Sequence, residues 1–281
     1  MKTDLYIIDT ITNLHVGSGD INFDIIDNQV QRDVVTELPT INSSSLKGAF
    51  RELFEEKEGQ SNLVKFIFGG DREEDKETND TTHGNYNFFS ANLLTRPVRS
   101  NKKFYFNATS NGLIKDFLET IENFDIEIDE KLKNDLKQLS QLQITTPTIF
   151  ENINDCIVED YEVNVSTYNI SQEVKKLLGD DIVLFSDNEF KKLSLPVIAR
   201  NKLENGESQN LWYEEVVPKK SKFYFCIGKP DNLAEYDKKE KIDGFERKFD
   251  NEGNKVQFGA NKSIGYGYSL VKKVSKWVEE I

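Results

Sequence analysis

The chain has few of the residues that most often bind metals or form disulfides. Its 281 residues include two cysteines, two histidines and one methionine. Cys156 and Cys226 are far apart and neither belongs to a CxxC pair, so we expect two buried thiols rather than a disulfide framework. His15 and His83 are also far apart, and His83 lies in a polar stretch typical of a surface loop. A zinc site is therefore not predicted.

Long apolar runs are absent as well. No stretch approaches the ~20 residues that an α-helix needs to span a bilayer. The opening segment, MKTDLYIIDT, carries acids and a strand-like alternation where a signal peptide would carry an apolar core. We therefore expect a cytoplasmic protein.

Positive charge is scarce relative to negative charge. The chain has 36 Lys and Arg against 49 Asp and Glu, a formal net charge of -13. This balance argues against a simple nucleic-acid binder, because Lys and Arg neutralise the phosphates. The acids concentrate in runs such as GGDREEDKETND, which are usually solvated faces or loops. The segments near Lys47, Arg200 and Lys262 are less acidic, so a local RNA-binding groove is not excluded.

Hydrophobic residues, 37% of the chain, suffice for a packed core. Segments with strand-like alternation and segments with helical spacing are mixed without a strict strand–helix–strand repeat, which favours an α+β fold with an antiparallel sheet. No repeat or low-complexity linker divides the chain, so we predict a single domain over 1–281. The dipeptide Asn205-Gly206 between two extended arms predicts a β-hairpin over about 197–214.

The segment SSSLKGAFR, residues 43–51, is typical of the start of a helix. Its serine hydroxyls and first N–H groups would converge with Lys47 and Arg51, which are four residues apart and share a face. Helix N-termini bind anions, so this end could hold a phosphate; a capped helix with two exposed cations is the alternative. The apolar stripe of this helix predicts core packing by Leu46, Phe50, Leu53 and Phe54.

A glycine-rich loop precedes the last predicted strand. It contains Gly259, Gly265 and Gly267, and no Gly-Lys-Ser/Thr follows, so it is not a P-loop. Such glycines more often serve turns, and their functional alternative is close approach of backbone N–H groups to a phosphate chain. His15 is available for a Ser–His or Cys–His nucleophile, but no motif supports one.

Read in order, these motifs resemble those of the repeat-associated mystery protein (RAMP) superfamily of CRISPR effector complexes. The resemblance runs through LHVGSG, IIDNQVQRDVVTELPTI, SSSLKGAFR, RPVRS, LWYEEVVP and IGYGYSLVKK. PVRS and LWYEE, with the chain length, favour the Cmr-type backbone subunits of type III-B complexes over the related Csm-type subunits. Two departures are visible: Asn42-Ser43 stands where the family usually has Pro-Gly, and the loop after the first strand carries extra acids.

The resemblance implies a modified ferredoxin-like or RNA-recognition-type palm with helical insertions and a protruding thumb hairpin. Copies of such subunits stack head-to-tail along a CRISPR RNA beside other Cmr subunits. Each thumb displaces one nucleotide of the guide–target duplex at six-nucleotide intervals, and complementary target RNA is cleaved beside it in a metal-dependent reaction. A non-catalytic guide-binding scaffold and a stand-alone CRISPR RNA-processing nuclease are the competing functions.

The resemblance also assigns roles to residues. Asp27 aligns with the family's aspartate in the loop after the first strand, and would either bind Mg²⁺ or another divalent cation or act as a base. Glu214, Glu215 and His15 are candidate helpers, with a structural role at the base of the thumb as an equal alternative for the two glutamates. Contacts to RNA are predicted for His15, Gly17, Ser18, Arg32, Ser44, Ser45, Lys47, Arg51, Arg200, Lys262, Gly265 and Tyr266.

Overall fold

The computed structural model describes residues 1–19, 25–58, 62–70, 83–231, 244–246 and 255–274. The helices are α1 Ser43–Glu58, α2 Asn62–Phe68, α3 Asn111–Asn123, α4 Glu130–Ser140, α5 Gln172–Leu178 and α6 Asp187–Lys192. The strands are β1 Lys2–Thr10, β2 Thr40–Ile41, β3 Asn87–Phe88, β4 Ala91–Val98, β5 Phe106–Ser110, β6 Thr148–Ile149, β7 Ile157–Val158, β8 Tyr161–Glu162, β9 Asn164–Val165, β10 Ile182–Phe185, β11 Val197–Glu204, β12 Glu207–Glu215, β13 Lys222–Lys229, β14 Lys255–Gln257 and β15 Tyr268–Lys273.

The palm is a four-stranded antiparallel unit inside a larger sheet. Its strands lie in the order β15-β1-β13-β4, and every neighbouring pair is antiparallel. Numbered one to four in chain order, β1, β4, β13 and β15 lie side by side in the order 4-1-3-2. Helix α1 lies on the connection from β1 to β4. This is the ferredoxin-like arrangement, and the predicted α+β palm is confirmed.

Alternating side chains of β1 separate two cores. Tyr6 and Ile8 face the core that contains α1, whereas Leu5 and Ile7 face the core that contains α3 and α4. Within the first core, Phe50 of α1 contacts four other aromatic rings: Phe88, Phe225, Phe245 and Phe258. The predicted stripe on α1 is therefore a core stripe, and α1 is fixed firmly against the palm.

Beyond β4 the sheet is mixed rather than antiparallel. β4 pairs antiparallel with β5, but β5 and β10 are parallel, as are β6 and β9. Parallel neighbours need a long crossover, which α3 and α4 supply between β5 and β10. The alternating segment CIVEDYEVNVSTY predicts one strand, but the turn at Glu159 (φ 51°) breaks it into the hairpin β7–β8 followed by β9. The antiparallel prediction thus holds for the palm and fails for this extension.

The predicted hairpin is present as β11 and β12, which form a two-stranded sheet separate from the other strands of the described ranges. Asn205 (φ 51°) and Gly206 (φ 86°) both have positive φ, the geometry of a type I′ turn. Side chains near the turn are exposed, including Leu203 at 62% and Leu211 at 54%. We call this hairpin the thumb, and residues 213–217, where it returns to the palm, the thumb root.

The remaining composition-based expectations concern thiols, His83 and membranes. Cys156 and Cys226 are buried and free, and burial raises the pKa of the Cys226 thiol to about 12. His83 is exposed. No helix within the described ranges is long and apolar enough to cross a membrane.

Candidate RNA-binding and cleavage site

Four segments of the chain meet at the base of the thumb: 13–19, 25–33, 213–217 and 258–267. Leu14 and Val217 exchange two backbone hydrogen bonds of 2.9 and 2.8 Å. The N–H group of Ala260 donates to the carbonyl of His15 at 2.9 Å. Backbone pairing thus joins the loop after β1 to the thumb root on one side and to the glycine-rich loop on the other.

Asp27 lies on the exposed side of this junction and is held by the thumb root. Its Oδ2 accepts a hydrogen bond from the Tyr213 N–H group at 2.7 Å. The next residue, Asn28, donates to the carbonyl of Tyr213 at 3.1 Å and accepts from the N–H group of Glu215 at 2.9 Å. Residues 25–33, which we call the carboxylate segment, therefore run beside the thumb root like a short parallel strand.

Glu215 is buried behind the carboxylate segment. Its Oε2 accepts from the Val30 N–H group at 3.2 Å, and its Oε1 lies 2.5 Å from the Arg32 guanidinium. Its backbone carbonyl is 2.7 Å from Nδ1 of His15. One residue of the thumb root thus contacts both the loop after β1 and the carboxylate segment.

Glu214 is buried on the opposite side of the root. Its carboxylate accepts from Asn261 at 3.0 and 3.1 Å and forms an ion pair with Arg200 at 2.8 Å. The Arg200 guanidinium also lies over the ring of Tyr266, 4.7 Å from its centroid. These contacts tie the first thumb strand and the glycine-rich loop to the root.

The three candidate helpers therefore differ from Asp27 in accessibility. Glu214, Glu215 and His15 are only 4%, 5% and 5% exposed, and each makes the fixed contacts described above. Burial leaves them little surface to offer RNA, and their contacts favour the structural alternative. Asp27 is exposed, and its Oδ1 has no hydrogen-bond partner in the described part of the chain.

The start of α1 lies next to the carboxylate segment. Gln31 joins them, since its side chain donates to Ser45 Oγ at 3.1 Å and accepts from the Asn42 N–H group at 2.9 Å. Ser44 is exposed, and Lys47 is half-buried without a carboxylate at ion-pair distance among the described residues. Arg51 pairs with Glu55 at 2.7 Å. Ser44 and Lys47 are thus the members of this predicted set with the most freedom to bind a phosphate.

The predicted contacts of the glycine-rich loop have mixed surroundings. Lys262 pairs with Glu52 and Glu56 of α1 at 2.7 and 2.8 Å, and these hydrogen bonds raise the pKa of its ammonium group. Gly265 is exposed and Tyr266 half-buried beneath Arg200. Two carboxylates thus compete with any phosphate for the charge of Lys262.

Close packing explains two glycines of this loop. A Cβ atom on Gly259 would lie 2.3 Å from the His15 carbonyl oxygen, and one on Gly267 would lie 1.9 Å from the Phe258 carbonyl oxygen. Gly265 has open space around it. In the loop after β1, Gly17 is half-buried and Ser18 exposed. The turn interpretation therefore accounts for Gly259 and Gly267, and RNA contact remains a prediction for Gly265, Gly17 and Ser18.

A complete metal site made by protein alone is not found in the described ranges, where no group of three His, Cys, Asp or Glu side chains converges suitably. Mg²⁺ usually keeps several waters and binds through one or two carboxylates plus substrate phosphates. The exposed Asp27 fits that mode of binding, with RNA as the second source of oxygen ligands.

Some of the residues that build the site carry no sequence signal. Gln31, Asn261 and the backbone of Tyr213 contact residues that are remote in sequence or lie in other loops. A single polar residue in a loop does not reveal such a partner. The motif LWYEE marks the thumb root, but it does not indicate which glutamate faces which segment.

Together these features define a ferredoxin-like palm whose thumb root holds an exposed carboxylate beside a helix end suited to anions. Residues 7–271 match the RAMP superfamily, and the chain belongs to it. By sequence it is Cmr4-like: it is 28% identical over 296 residues to the CRISPR system Cmr endoribonuclease Cmr4 of Pyrococcus furiosus. The alignment covers 96% of this chain and 95% of that protein.

Solved structures show the same fold. A type III-B Cmr-beta structure bound to cognate target RNA matches with a TM-score of 0.78 at 21% identity, over 99% of both chains. Oligomeric Cmr4 from Pyrococcus furiosus matches with a TM-score of 0.71 at 22% identity, over 98% of this chain and 99% of that chain. The thumb, palm and extension thus belong to one architecture.

Proposed function

We propose that this chain is the backbone subunit of a type III-B CRISPR effector complex, where it binds CRISPR RNA and cleaves complementary target RNA at six-nucleotide intervals. Membership of the RAMP superfamily and similarity to an endoribonuclease along nearly the whole chain support this proposal. Its partners would be the guide, the target, further copies of itself in a helical filament and other Cmr subunits, in the cytoplasm.

The hydrogen bond from the Tyr213 N–H group to Asp27 Oδ2 carries the proposal of cleavage. It leaves Oδ1 directed to no described partner, so one carboxylate oxygen is fixed and the other is available. A carboxylate held in this way at the base of a protruding hairpin is suited to act on a strand that the hairpin has distorted.

RNA supplies its own nucleophile, the 2′-hydroxyl. In this reaction the 2′-oxygen bonds to the adjacent phosphorus, the 5′-oxygen of the next nucleotide leaves, and a proton moves from the first oxygen to solvent or base while the second gains one. In-line positioning dominates the rate of such steps. Asp27 would orient the hydroxyl or accept its proton, and a bound Mg²⁺ would supply charge stabilisation at the phosphate.

The deciding experiment is single-turnover cleavage of a guide-matched RNA by complexes assembled with Asp27→Ala, with and without Mg²⁺. We expect cleavage to slow by at least ~10²-fold, the lower range for a positioned acid–base group. Guide and target affinity should stay near wild type, since a carboxylate beside phosphates is not a source of attraction. Loss of the hydrogen bond from the Tyr213 N–H group should lower the free energy of unfolding by about 0.5–1.5 kcal/mol, so the variant should still fold.

The matched control is Asp160→Ala, which removes an exposed aspartate from the turn between β7 and β8. It should cut normally, with products six nucleotides apart. If the Asp27→Ala complex binds target and cuts at the wild-type rate, the active site lies elsewhere. If the wild-type and Asp160→Ala complexes assemble but do not cut, the chain is a non-catalytic scaffold. Cleavage of a repeat-containing transcript by the protein alone would instead indicate a processing nuclease.

A further inference from the structure

The carboxylate segment depends on a buried acid that does not itself face solvent. Both oxygens of Glu215 are used: Oε2 accepts from the Val30 N–H group, and Oε1 pairs with Arg32. The side chain of Glu215 is 6% exposed, whereas that of Arg32 is 38% exposed. Asp27 lies three residues before Val30 and has no ion pair of its own in the described ranges. The position of Asp27 is thus supported on the buried side of the carboxylate segment, through Val30, Arg32 and Glu215.

Arg32 extends this support along the segment. Its Nη1 donates to the carbonyl of Glu37 at 2.9 Å while its Nη2 pairs with Glu215. Between these points the chain turns tightly, since Asp33 Oδ1 accepts from the N–H groups of Val35 and Thr36 at 3.0 and 2.7 Å. The planar guanidinium of Arg32 therefore links the backbone at Glu37, just after the carboxylate segment, to Glu215 of the thumb root.

The negative charge of Glu215 has a second cationic neighbour. Burial lowers the pKa of Arg96 to about 10, against the attraction of Glu159 and Glu215. Arg96 also donates to the carbonyl of Ser194 at 3.1 Å, just before the first thumb strand begins. Glu215 thus pairs with Arg32 and attracts Arg96, which contacts the chain just before the first thumb strand. A neutral side chain there would leave the repulsion between Arg32 and Arg96 without this compensating anion.

We propose that Glu215 and Arg32 form a positioning pair that fixes Asp27 relative to the thumb, so that the displaced nucleotide and the attacked phosphate are held at a set separation. This inference rests on the proposed function, because it concerns how the same carboxylate is placed. Glu215 acts through the backbone of residues 28–32 and through Arg32, without contact to RNA.

Glu215→Gln is the sharpest test, because glutamine keeps the shape but offers only one acceptor oxygen where two donors converge. At saturating target we expect the single-turnover rate to fall by at least about 10-fold, since a ~1 Å misplacement can cost ~10²-fold. Target affinity should change by less than about twofold. Hydrogen–deuterium exchange over residues 25–33 and at the Tyr213 amide should become faster, a readout that does not require activity.

Arg32 provides the second variant, since its side chain is partly exposed and Arg32→Lys keeps a cation beside the buried Glu215 carboxylate. Arg32→Ala should slow cleavage like Glu215→Gln, and Arg32→Lys should recover part of the rate, because an ammonium keeps the charge but not the planar fork. The matched control is Glu173→Gln, which alters the Lys131–Glu173 ion pair between α4 and α5, outside the carboxylate segment and its arginines. It should leave cleavage at the wild-type rate.

A double variant separates positioning from general damage. If Glu215 acts only through Asp27, Glu215→Gln should not lower the residual rate further when Asp27 is already alanine. A further loss there, or a wild-type rate and exchange pattern in Glu215→Gln and Arg32→Ala, would overturn the inference. Failure of the proposed function is distinguishable, because it would appear as undiminished cutting by Asp27→Ala itself.

Discussion

Lys47 combines three properties at the residue scale: a location near the N-terminal end of α1, a half-buried stem and an ammonium group without a carboxylate at ion-pair distance among the described residues. Lys262 has the same charge but is held by Glu52 and Glu56. A phosphate approaching Lys47 need not displace an acid. In a chain of net charge -13, such freedom decides which cations are available to RNA.

We therefore predict that Lys47→Ala weakens guide binding without changing sequence preference. Loss of one phosphate contact should reduce the slope of log affinity against log salt by about 0.7, the single-strand value. Fluorescence anisotropy with a labelled guide over a series of salt concentrations would measure both quantities. Lys115→Ala, which removes an exposed lysine from α3, is the control and should leave affinity and slope unchanged. Equal behaviour of the two variants would exclude Lys47 from the interface.

At the scale of elements, the thumb is separable from the palm. β11 and β12 form a sheet of their own among the described strands, and side chains near their turn are exposed. Asn201 and Leu211 are cross-strand partners, so replacing residues 202–210 with Asn-Gly closes a shorter hairpin in register. The melting temperature should change little, because exposed hairpin tips tolerate change. Single-turnover cleavage should fall, because the target nucleotide would no longer be displaced.

Asn205→Asp serves as the control, since aspartate also suits a type I′ turn. It should assemble and cut like the wild type. A shortened thumb that still cuts at the same spacing would show that displacement does not require the hairpin tip.

Local signals in the sequence predict some elements of this structure but not the contacts between them. Asn205-Gly206 predicts the thumb because the signal for a tight hairpin is local. The apolar spacing of α1 likewise predicts its buried face. Asp27 and Tyr213, by contrast, are 186 positions apart, and nothing local indicates that the amide of one holds the carboxylate of the other. The RNA contact expected at Lys262 neglects acids on α1 for the same reason.

At the scale of the whole molecule, stacking along a guide requires one face of a copy to bind a different face of the next. Such heterologous contacts build open helices rather than closed dimers. We expect native mass measurements on guides of increasing length to show stepwise addition of copies, while protein without guide shows no such series. A closed dimer of constant mass, indifferent to guide length, would contradict the filament.

The central location of β1 has a consequence for how the protein is made. Its two neighbours, β13 and β15, are synthesised last, and β13 emerges about 10–45 s after β1 at ~5–20 residues per second. Until then the apolar residues Leu5 to Ile8, which face both sides of β1, have no neighbouring strand to pair with. Because Ala260 and Asn261 contact His15 and Glu214, a chain not yet synthesised beyond residue 261 lacks the complete base of the thumb. If the proposed function holds, Asp27 would be placed to act on RNA only after these residues have been synthesised.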